Sequence, residues 1–199
     1  MILAAEFSRS ANARLADFST SSLERGYFNL REQDRSSLGR LDEAPSELSV
    51  QRSRQKRVRG ALIAQFAANE SQLFADAVEL IRPHVDGVDL NCGCPQGWAY
   101  KEEIGCWLLR HPDIVADIVR AAKNRVETSF PISIKIRVDN DLKMTEQLIQ
   151  TAIHAGVSHI TVHGRTRHQA STQPVSLSSI AFAVSAANNA VPIVANGDA

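Results

Sequence analysis

From residue 60 onward, short apolar runs alternate with stretches in which apolar residues recur every three or four positions. The short runs predict buried strands and the longer stretches predict amphipathic helices. The predicted strands are 61–66, 87–91, 132–138, 159–164 and 192–197, with a further apolar run over Met1–Ala5. The predicted helices begin at a cap at Asn69 or Ser71, at His111–Asp113, at Thr145 and at Leu177, and the third ends at Gly156.

Strand and helix succeed each other about once every 30 residues, which is typical of a parallel α/β sheet, either open or closed. Several predicted strands end in polar residues, namely Gln65, Asn91, Lys135–Arg137, His163 and Asn196. Ligands bind at the carboxyl ends of parallel strands. The repetition over five strands therefore predicts a binding site at that edge.

Residues 19–59 interrupt this order, because they are rich in Ser, Arg, Glu and Gln and contain few large apolar residues. Such a segment cannot bury enough surface to offset its ordering entropy, so it is predicted to be a flexible insertion. Five basic residues lie between Arg52 and Arg59. A solvated loop is the favoured interpretation, and an RNA-contacting arm is the alternative.

The composition is that of an ordinary soluble protein, with 44% hydrophobic residues, 22% charged residues and zero net charge over 199 residues. No global basic field indicates nucleic acid, although a local patch can bind it. No apolar run is long enough to cross a membrane, and Met1–Ala5 lacks the basic flank of a signal peptide. We therefore expect no membrane association.

Three cysteines, Cys92, Cys94 and Cys106, lie close together in the chain. This odd, clustered set does not resemble a secreted disulfide framework, which favours a reducing compartment. Structural zinc is disfavoured, because its paired Cys-x-x-Cys spacing is absent. A thiol at Cys94, between Gly93 and Pro95, can act as a general acid or as a nucleophile, or it can be an inert buried residue.

Three further positions are candidates for ligand binding. Lys135 interrupts an apolar strand and needs either an anionic ligand or an ion-pair partner. His163, followed by Gly164 and Arg165, suits a phosphate or a polar ring, or it is a structural histidine. The Asn196–Asp198 turn lets backbone amides approach a phosphate or a sugar chain. Rossmann and Walker glycine motifs are absent, so a classical nucleotide fold is disfavoured.

Taken together, these residues resemble the tRNA-dihydrouridine synthases, and most closely their eukaryotic dihydrouridine synthase 4-like branch. The resemblance covers residues 1–18 and 60–199. Five ordered motifs support it: Ala64–Asn69, Asp89–Gln96, Ser133–Arg137, Thr161–Thr166 and Val194–Asp198. A different flavin barrel, one that reduces free pyrimidines, is a further possibility. The combination of Gly-Cys-Pro-Gln with His-Gly-Arg-Thr disfavours it.

The resemblance implies a flavin-binding TIM (β/α)8 barrel that reduces uridine in tRNA to dihydrouridine with FMN and NADPH. Under this resemblance Cys94 is the proton donor, whereas Cys92 is a packing residue. The residues implied to bind flavin are Gln65, Lys135, His163, Asn196, Gly197 and Asp198. Asn91 and Arg165 are implied to bind the substrate. The partner is tRNA, no metal is expected, and the location is cytoplasmic or nuclear.

The chain also departs from the family pattern. We expect a partial barrel of about six of the eight strand–helix units, formed by residues 1–18 and 60–199, with residues 19–59 inserted. The first strand, the eighth strand and the C-terminal tRNA-binding helical domain are not recognised in the sequence. These departures suggest a fragment, a splice form or an imperfect gene model. The alternative function is therefore that of a catalytically inactive RNA-binding or interaction fragment.

Overall fold

The computed structural model of the chain describes residues 2–18, 27–31 and 55–198, and it describes 27–31 and 55–59 by their backbone. Contacts divide the chain into two units, Met1–Ser19 with Leu62–Ala199, and Thr20–Ala61. In the second unit, strand β2 (Tyr27–Arg31) pairs antiparallel with β3 (Gln55–Arg59), a pairing the sequence pattern did not predict. The rest of the predicted flexible insertion lies outside the described residues.

The first unit alternates strands and helices as predicted. Its strands are β1 (Ile2–Leu3), β4 (Ile63–Ala67), β5 (Gly87–Cys92), β6 (Ile132–Arg137), β7 (Ile160–His163) and β8 (Ile193–Asn196). Its helices are α1 (Ala4–Arg9), α2 (Ala11–Asp17), α3 (Ser71–Ile81), α4 (Gly97–Lys101), α5 (Pro112–Lys123), α6 (Leu142–Ala155) and α7 (Leu177–Ala187). Two 3₁₀ segments, Arg82–His84 and Gly105–Arg110, complete the described elements.

The six strands form one parallel sheet in the order β1-β4-β5-β6-β7-β8. Each central strand is followed by a helix that returns the chain to the next strand, which is the arrangement that parallel pairing requires. The predicted α/β class and parallel sheet are therefore confirmed. All the carboxyl ends of these strands lie at one edge of the sheet.

The two faces of the sheet differ sharply in polarity. Phe66, Leu90, Ile134 and Ile160 are fully buried in the main core, to which helices α3, α5 and α6 contribute the other side. Because side chains alternate along a strand, the neighbouring residues point to the opposite face. On that face stand Gln65, Asp89, Asn91, Ser133, Lys135, Arg137, Thr161, His163 and Asn196. The sheet thus has one helix-covered apolar face and one polar face.

Several local predictions differ from the structure. The first strand ends at Leu3, because Ala4 begins helix α1, whose Phe7 ring packs edge-on against Phe66 at 5.1 Å. Helix α3 has no side-chain cap, since Asn69 instead donates to the Glu102 carbonyl at 3.1 Å. Helix α6 starts at Leu142 rather than at Thr145, capped by Asp141.

Other helix ends match the sequence signals. Pro112 occupies the first turn of α5, where its missing N–H costs nothing. Gly156 closes α6 with a φ of 96°, a left-handed conformation that favours glycine. No helix among the described residues is both long enough and apolar enough to cross a membrane.

Candidate active site

The structure brings most of the predicted site residues together on the polar face. The strand register places Gln65 opposite Asp89, Asn91 opposite Lys135, and His163 opposite both Arg137 and Asn196. These side chains approach the carboxyl edge of the sheet, where the loop that holds Cys94 follows β5. The predicted convergence of five strand ends is therefore what the fold produces.

A chain of hydrogen bonds connects the sheet to the Cys94 loop. Gln65 donates through Nε2 to Asp89 Oδ2 at 2.7 Å, and its Oε1 accepts from Asn91 Nδ2 at 2.8 Å. Asn91 Oδ1 in turn accepts from the backbone N–H groups of Gly93 and Cys94, at 3.1 and 2.9 Å. The asparagine side chain therefore sets the conformation of the turn that presents Cys94.

The other two cysteines lie in different surroundings. Cys92 is fully buried on the helix-covered face, where burial raises the pKa of its thiol well above the ordinary value. Burial likewise raises the pKa of Cys106 to about 12. Cys94 is partly exposed, and all three cysteines are free. Cys94 is thus the most accessible of the three thiols.

A second loop supports Cys94 from behind. The Cys106 N–H donates to the Cys94 carbonyl at 2.9 Å. Gly105 has a φ of 64°, and a Cβ atom there would lie 2.7 Å from the Cys94 carbonyl oxygen and 2.8 Å from its Cβ. Only a glycine can approach the backbone so closely in this conformation. The position of Cys94 therefore depends on the absence of a side chain at residue 105.

Two groups on the polar face, the Lys135 ammonium and the Nδ1 atom of His163, have no hydrogen-bond partner among the described residues. Lys135 makes no hydrogen bond and no ion pair with any described residue, and burial lowers the pKa of its ammonium group. His163 accepts through Nε2 from Arg165 at 3.4 Å, which leaves Nδ1 buried without a hydrogen bond. An anionic, acceptor-rich ligand would satisfy both groups. These two groups are compatible with the flavin nucleotide that the sequence resemblance implies.

His163 is held in its neutral form. Burial lowers the pKa of its imidazole, and the positive charges of Arg137, Lys135 and Arg165 lower it further. Since Nε2 faces a guanidinium donor, Nδ1 carries the proton. His163 is thus a hydrogen-bond donor aimed away from Arg165, and the structure gives that donor no acceptor.

The remaining predicted residues, Arg165 and the 196–198 turn, form their own cluster. Arg165 is 2% exposed, and its guanidinium donates to the Gln173 carbonyl and pairs with Asp198. Gly197 has a φ of 127° and packs against Val175, where a Cβ would lie 2.3 Å away. Arg165 is therefore already engaged by protein groups, and it contacts His163 directly.

Asp89 and Ser133 were not among the predicted site residues, and Arg137 was predicted only as part of a polar strand end. Asp89 is buried and accepts from Ser133 Oγ at 2.6 Å as well as from Gln65. Arg137 donates to the carbonyls of Gly93 and Thr166, at 3.2 and 3.0 Å, and so joins the loops after β5 and β7. The available signal was the alternation itself, because each of these residues interrupts an apolar strand at a position facing the polar side.

The buried carboxyl group of Asp89 is expected to make the stability of the fold depend on pH. Burial raises the pKa of its carboxyl above 3.8, although the bonds from Ser133 and Gln65 oppose this. The folded chain therefore holds the proton more tightly than the unfolded chain, and stability is lost as pH rises through the folded pKa. We expect the free energy of unfolding of the native chain, relative to Asp89→Asn, to decline over a series of pH values raised above about 4.

Urea denaturation at these pH values measures the effect. Asp117→Asn is the matched control, because Asp117 is an exposed carboxylate on α5 with 73% of its side chain accessible. The difference between the native chain and that control should stay constant. A constant difference for Asp89→Asn as well would contradict the assignment of this titration to Asp89.

The sequence of this chain is similar to a known family and to known proteins. The family description "Dihydrouridine synthase (Dus)" matches residues 41–199. A Homo sapiens protein named tRNA-dihydrouridine(20a/20b) synthase [NAD(P)+]-like is 48% identical over 138 residues, which cover 69% of this chain and 43% of the relative. The tRNA-dihydrouridine(20a/20b) synthase of Saccharomyces cerevisiae is 32% identical over 199 residues, which cover 100% of this chain and 45% of the relative.

The chain thus spans less than half the length of the curated relatives it matches. Its six-stranded parallel sheet is consistent with part of a TIM barrel, the fold of this family. The match to the relatives named 20a/20b also agrees with the eukaryotic branch that the sequence motifs indicated. On the match of residues 41–199 and on these identities, the chain belongs to the dihydrouridine synthase family.

Proposed function

We propose that this chain provides the cofactor- and substrate-binding face of a tRNA-dihydrouridine synthase, which reduces uridine in tRNA with FMN and NADPH. The observation that carries the proposal is that the Lys135 ammonium and His163 Nδ1, on the same face of the sheet as the strand that leads to Cys94, form no hydrogen bond with any described residue. The names of the relatives, which specify tRNA, dihydrouridine and NAD(P)+, support it.

The polar face supplies the groups that would hold the flavin. The Lys135 ammonium would neutralise negative charge on the ring system, and His163 Nδ1–H would donate to a ring acceptor. The Gln65 amide lies on the same face, and the Asn196–Gly197–Asp198 turn would accept the phosphate or ribityl chain through its backbone. When bound, FMN supplies the hydride that adds to one carbon of the uracil double bond, at the expense of NADPH.

Cys94 would complete the reduction by donating its Sγ proton to the other carbon of that double bond. Hydride and proton together convert uridine to dihydrouridine, and solvent returns a proton to the thiolate. Asn91, whose second Nδ2–H is not used by Gln65, would hold the base once the uridine has been extruded from the tRNA fold. Arg165 is predicted to contribute to substrate binding. It would do so indirectly, by holding the His163 and Asp198 side chains that it contacts.

Replacing Lys135 by methionine tests the flavin site. Methionine keeps the length of the side chain but removes the charge, so we expect the dissociation constant for FMN to rise by about tenfold or more. Quenching of flavin fluorescence on titration with the chain measures this constant. Lys123→Met is the matched control, because Lys123 donates to the Phe130 carbonyl at 3.0 Å, away from the polar face.

The comparison separates a specific site from general charge. The Lys123 variant should bind FMN as the native chain does. If neither the native chain nor the variants bind FMN, the proposed flavin site is wrong. If both lysine variants lose the same affinity, the effect comes from net charge, and the assignment of Lys135 fails.

A further inference from the structure

A cavity of about 170 Å³ opens beside the Cys94 loop, at the same edge of the sheet. Helix α4 and the loops after β6 and β7 enclose it, and its lining includes Tyr100, Cys106, Arg110, Asp139, Thr166 and Arg167. The cavity is separate from the flavin-side groups, since neither Lys135 nor His163 lines it. Cys106, whose N–H holds the Cys94 carbonyl, connects the two regions.

One pair of charges in this cavity is already neutralised. Arg110 donates to both carboxylate oxygens of Asp139, through Nε and a terminal nitrogen, each at 2.9 Å. These hydrogen bonds lower the pKa of Asp139, which keeps it ionised. In such a bidentate pair the guanidinium and the carboxylate neutralise each other. Neither side chain therefore needs a ligand.

Arg167 also lines the cavity, and it has no charged partner among the described residues. Its guanidinium lies over the Tyr100 ring, 3.4 Å from the ring centroid. Among the described residues, no group forms a hydrogen bond or an ion pair with its side chain. Stacking fixes the plane of the guanidinium and leaves its N–H edge available. The cavity thus contains a guanidinium group that is held in one orientation and is available to bind an anion.

The neighbouring backbone holds this fork in place. Thr166, which precedes Arg167, donates its N–H to Gln169 Oε1 at 2.6 Å, and its carbonyl accepts from Arg137. Tyr100 belongs to helix α4, which begins three residues after Cys94. The ring that supports the guanidinium is therefore attached to the loop that presents the thiol.

We propose that Arg167, stacked on Tyr100, binds a backbone phosphodiester of the RNA substrate next to the uridine that reaches Cys94. This inference rests on the proposed function and extends it to a second contact outside the base pocket. A stacked arginine suits this task, because a phosphodiester offers two charged oxygens that match the guanidinium fork. The contact would place the extruded nucleotide by its backbone rather than by its base.

The test is the salt dependence of tRNA binding by the 199-residue chain and its Arg167→Ala variant. Loss of one phosphate contact should weaken tRNA binding severalfold and reduce the slope of log K against log salt by about 0.7 to 1. Arg167→Lys should restore the slope and only part of the affinity, because lysine keeps the charge without the fork. Arg120→Ala is the control, since Arg120 lies exposed on α5 with 56% of its side chain accessible.

The outcomes separate this inference from the proposed function. Equal slopes for the native chain, Arg167→Ala and Arg120→Ala would overturn the inference, and so would the absence of measurable tRNA binding. Weakened binding of NADPH, with tRNA binding unchanged, would assign Arg167 to the reductant and likewise overturn it. FMN titration of the same samples tests the flavin site, so a failure there is recognised independently of the slope.

Discussion

Replacing Cys94 by alanine is expected to lower the rate of dihydrouridine formation by about 10²–10⁴-fold, the usual contribution of a positioned general acid. Asn91 and Cys106 hold the backbone of the partly exposed Cys94 at the carboxyl edge of the sheet, through its N–H and its carbonyl. Alanine keeps the backbone bonds that form the loop and removes the proton donor. FMN binding should therefore stay unchanged. Mass spectrometry of tRNA incubated with the chain, FMN and NADPH measures the product.

Cys92→Ala provides the matched control, because Cys92 is two residues away but faces the helices. We expect this variant to lose about 1 kcal/mol of stability from the core and to retain its activity. Dihydrouridine formed equally by the native chain and by Cys94→Ala would rule out Cys94 as the proton donor. FMN binding without any product from the native chain would favour the alternative of an inactive RNA-binding fragment.

Replacing Gly105 by alanine is expected to have the largest effect on stability among the changes considered. A left-handed alanine costs about 1–2 kcal/mol, and the close contacts of its Cβ with Cys94 add about 1–3 kcal/mol. We therefore expect a loss of about 2–5 kcal/mol in the free energy of unfolding. The strain should also displace Cys94, and a shift of about 1 Å reduces catalysis by about 100-fold. Urea denaturation and the tRNA assay measure the two effects.

Gly97→Ala is the matched control, since Gly97 begins helix α4 and a Cβ there would meet nothing within 4 Å. Its stability should change by no more than about 0.5 kcal/mol. If Gly105→Ala behaves like Gly97→Ala, the close approach between residues 105 and 94 is not what positions the thiol. A stability loss with full activity would show that Cys94 tolerates the displacement.

The strands were predictable because each central strand combines an apolar run with a sharp boundary. β6, for example, places Ile132, Ile134 and Ile136 on the core face, so its type and its first residue follow from alternation, although it ends at Arg137, one residue before the predicted end. The short helix α4 and the 3₁₀ segment Gly105–Arg110 were not predictable, because neither has a long amphipathic repeat. Their conformations depend on contacts with each other and with the Cys94 loop.

The site was predictable as a set of strand ends but not as a set of contacts. Polar residues at Gln65, Lys135 and His163 predicted that strand ends would meet at one edge of the sheet, and the strand register brings them there. Which of them lack a partner depends on distant residues, such as the pairing of Arg165 with Asp198, 33 positions away. No local pattern contains that information, because the loops after β7 and β8 meet only in the folded chain.

The carboxyl group of Asp89 also sets the donor and acceptor directions in the chain of hydrogen bonds that leads to Cys94. Both carboxyl oxygens of Asp89 accept hydrogen bonds, Oδ1 from Ser133 and Oδ2 from Gln65, so Gln65 turns its amide nitrogen toward Asp89 and its oxygen toward Asn91. Asn91 must then turn its own oxygen to the N–H of Cys94. One hydrogen-bond acceptor in the middle of the sheet thus decides the orientation of two amides that could otherwise be reversed. Asp89 therefore influences the conformation of the Cys94 loop through Gln65 and Asn91, without a hydrogen bond to the loop itself.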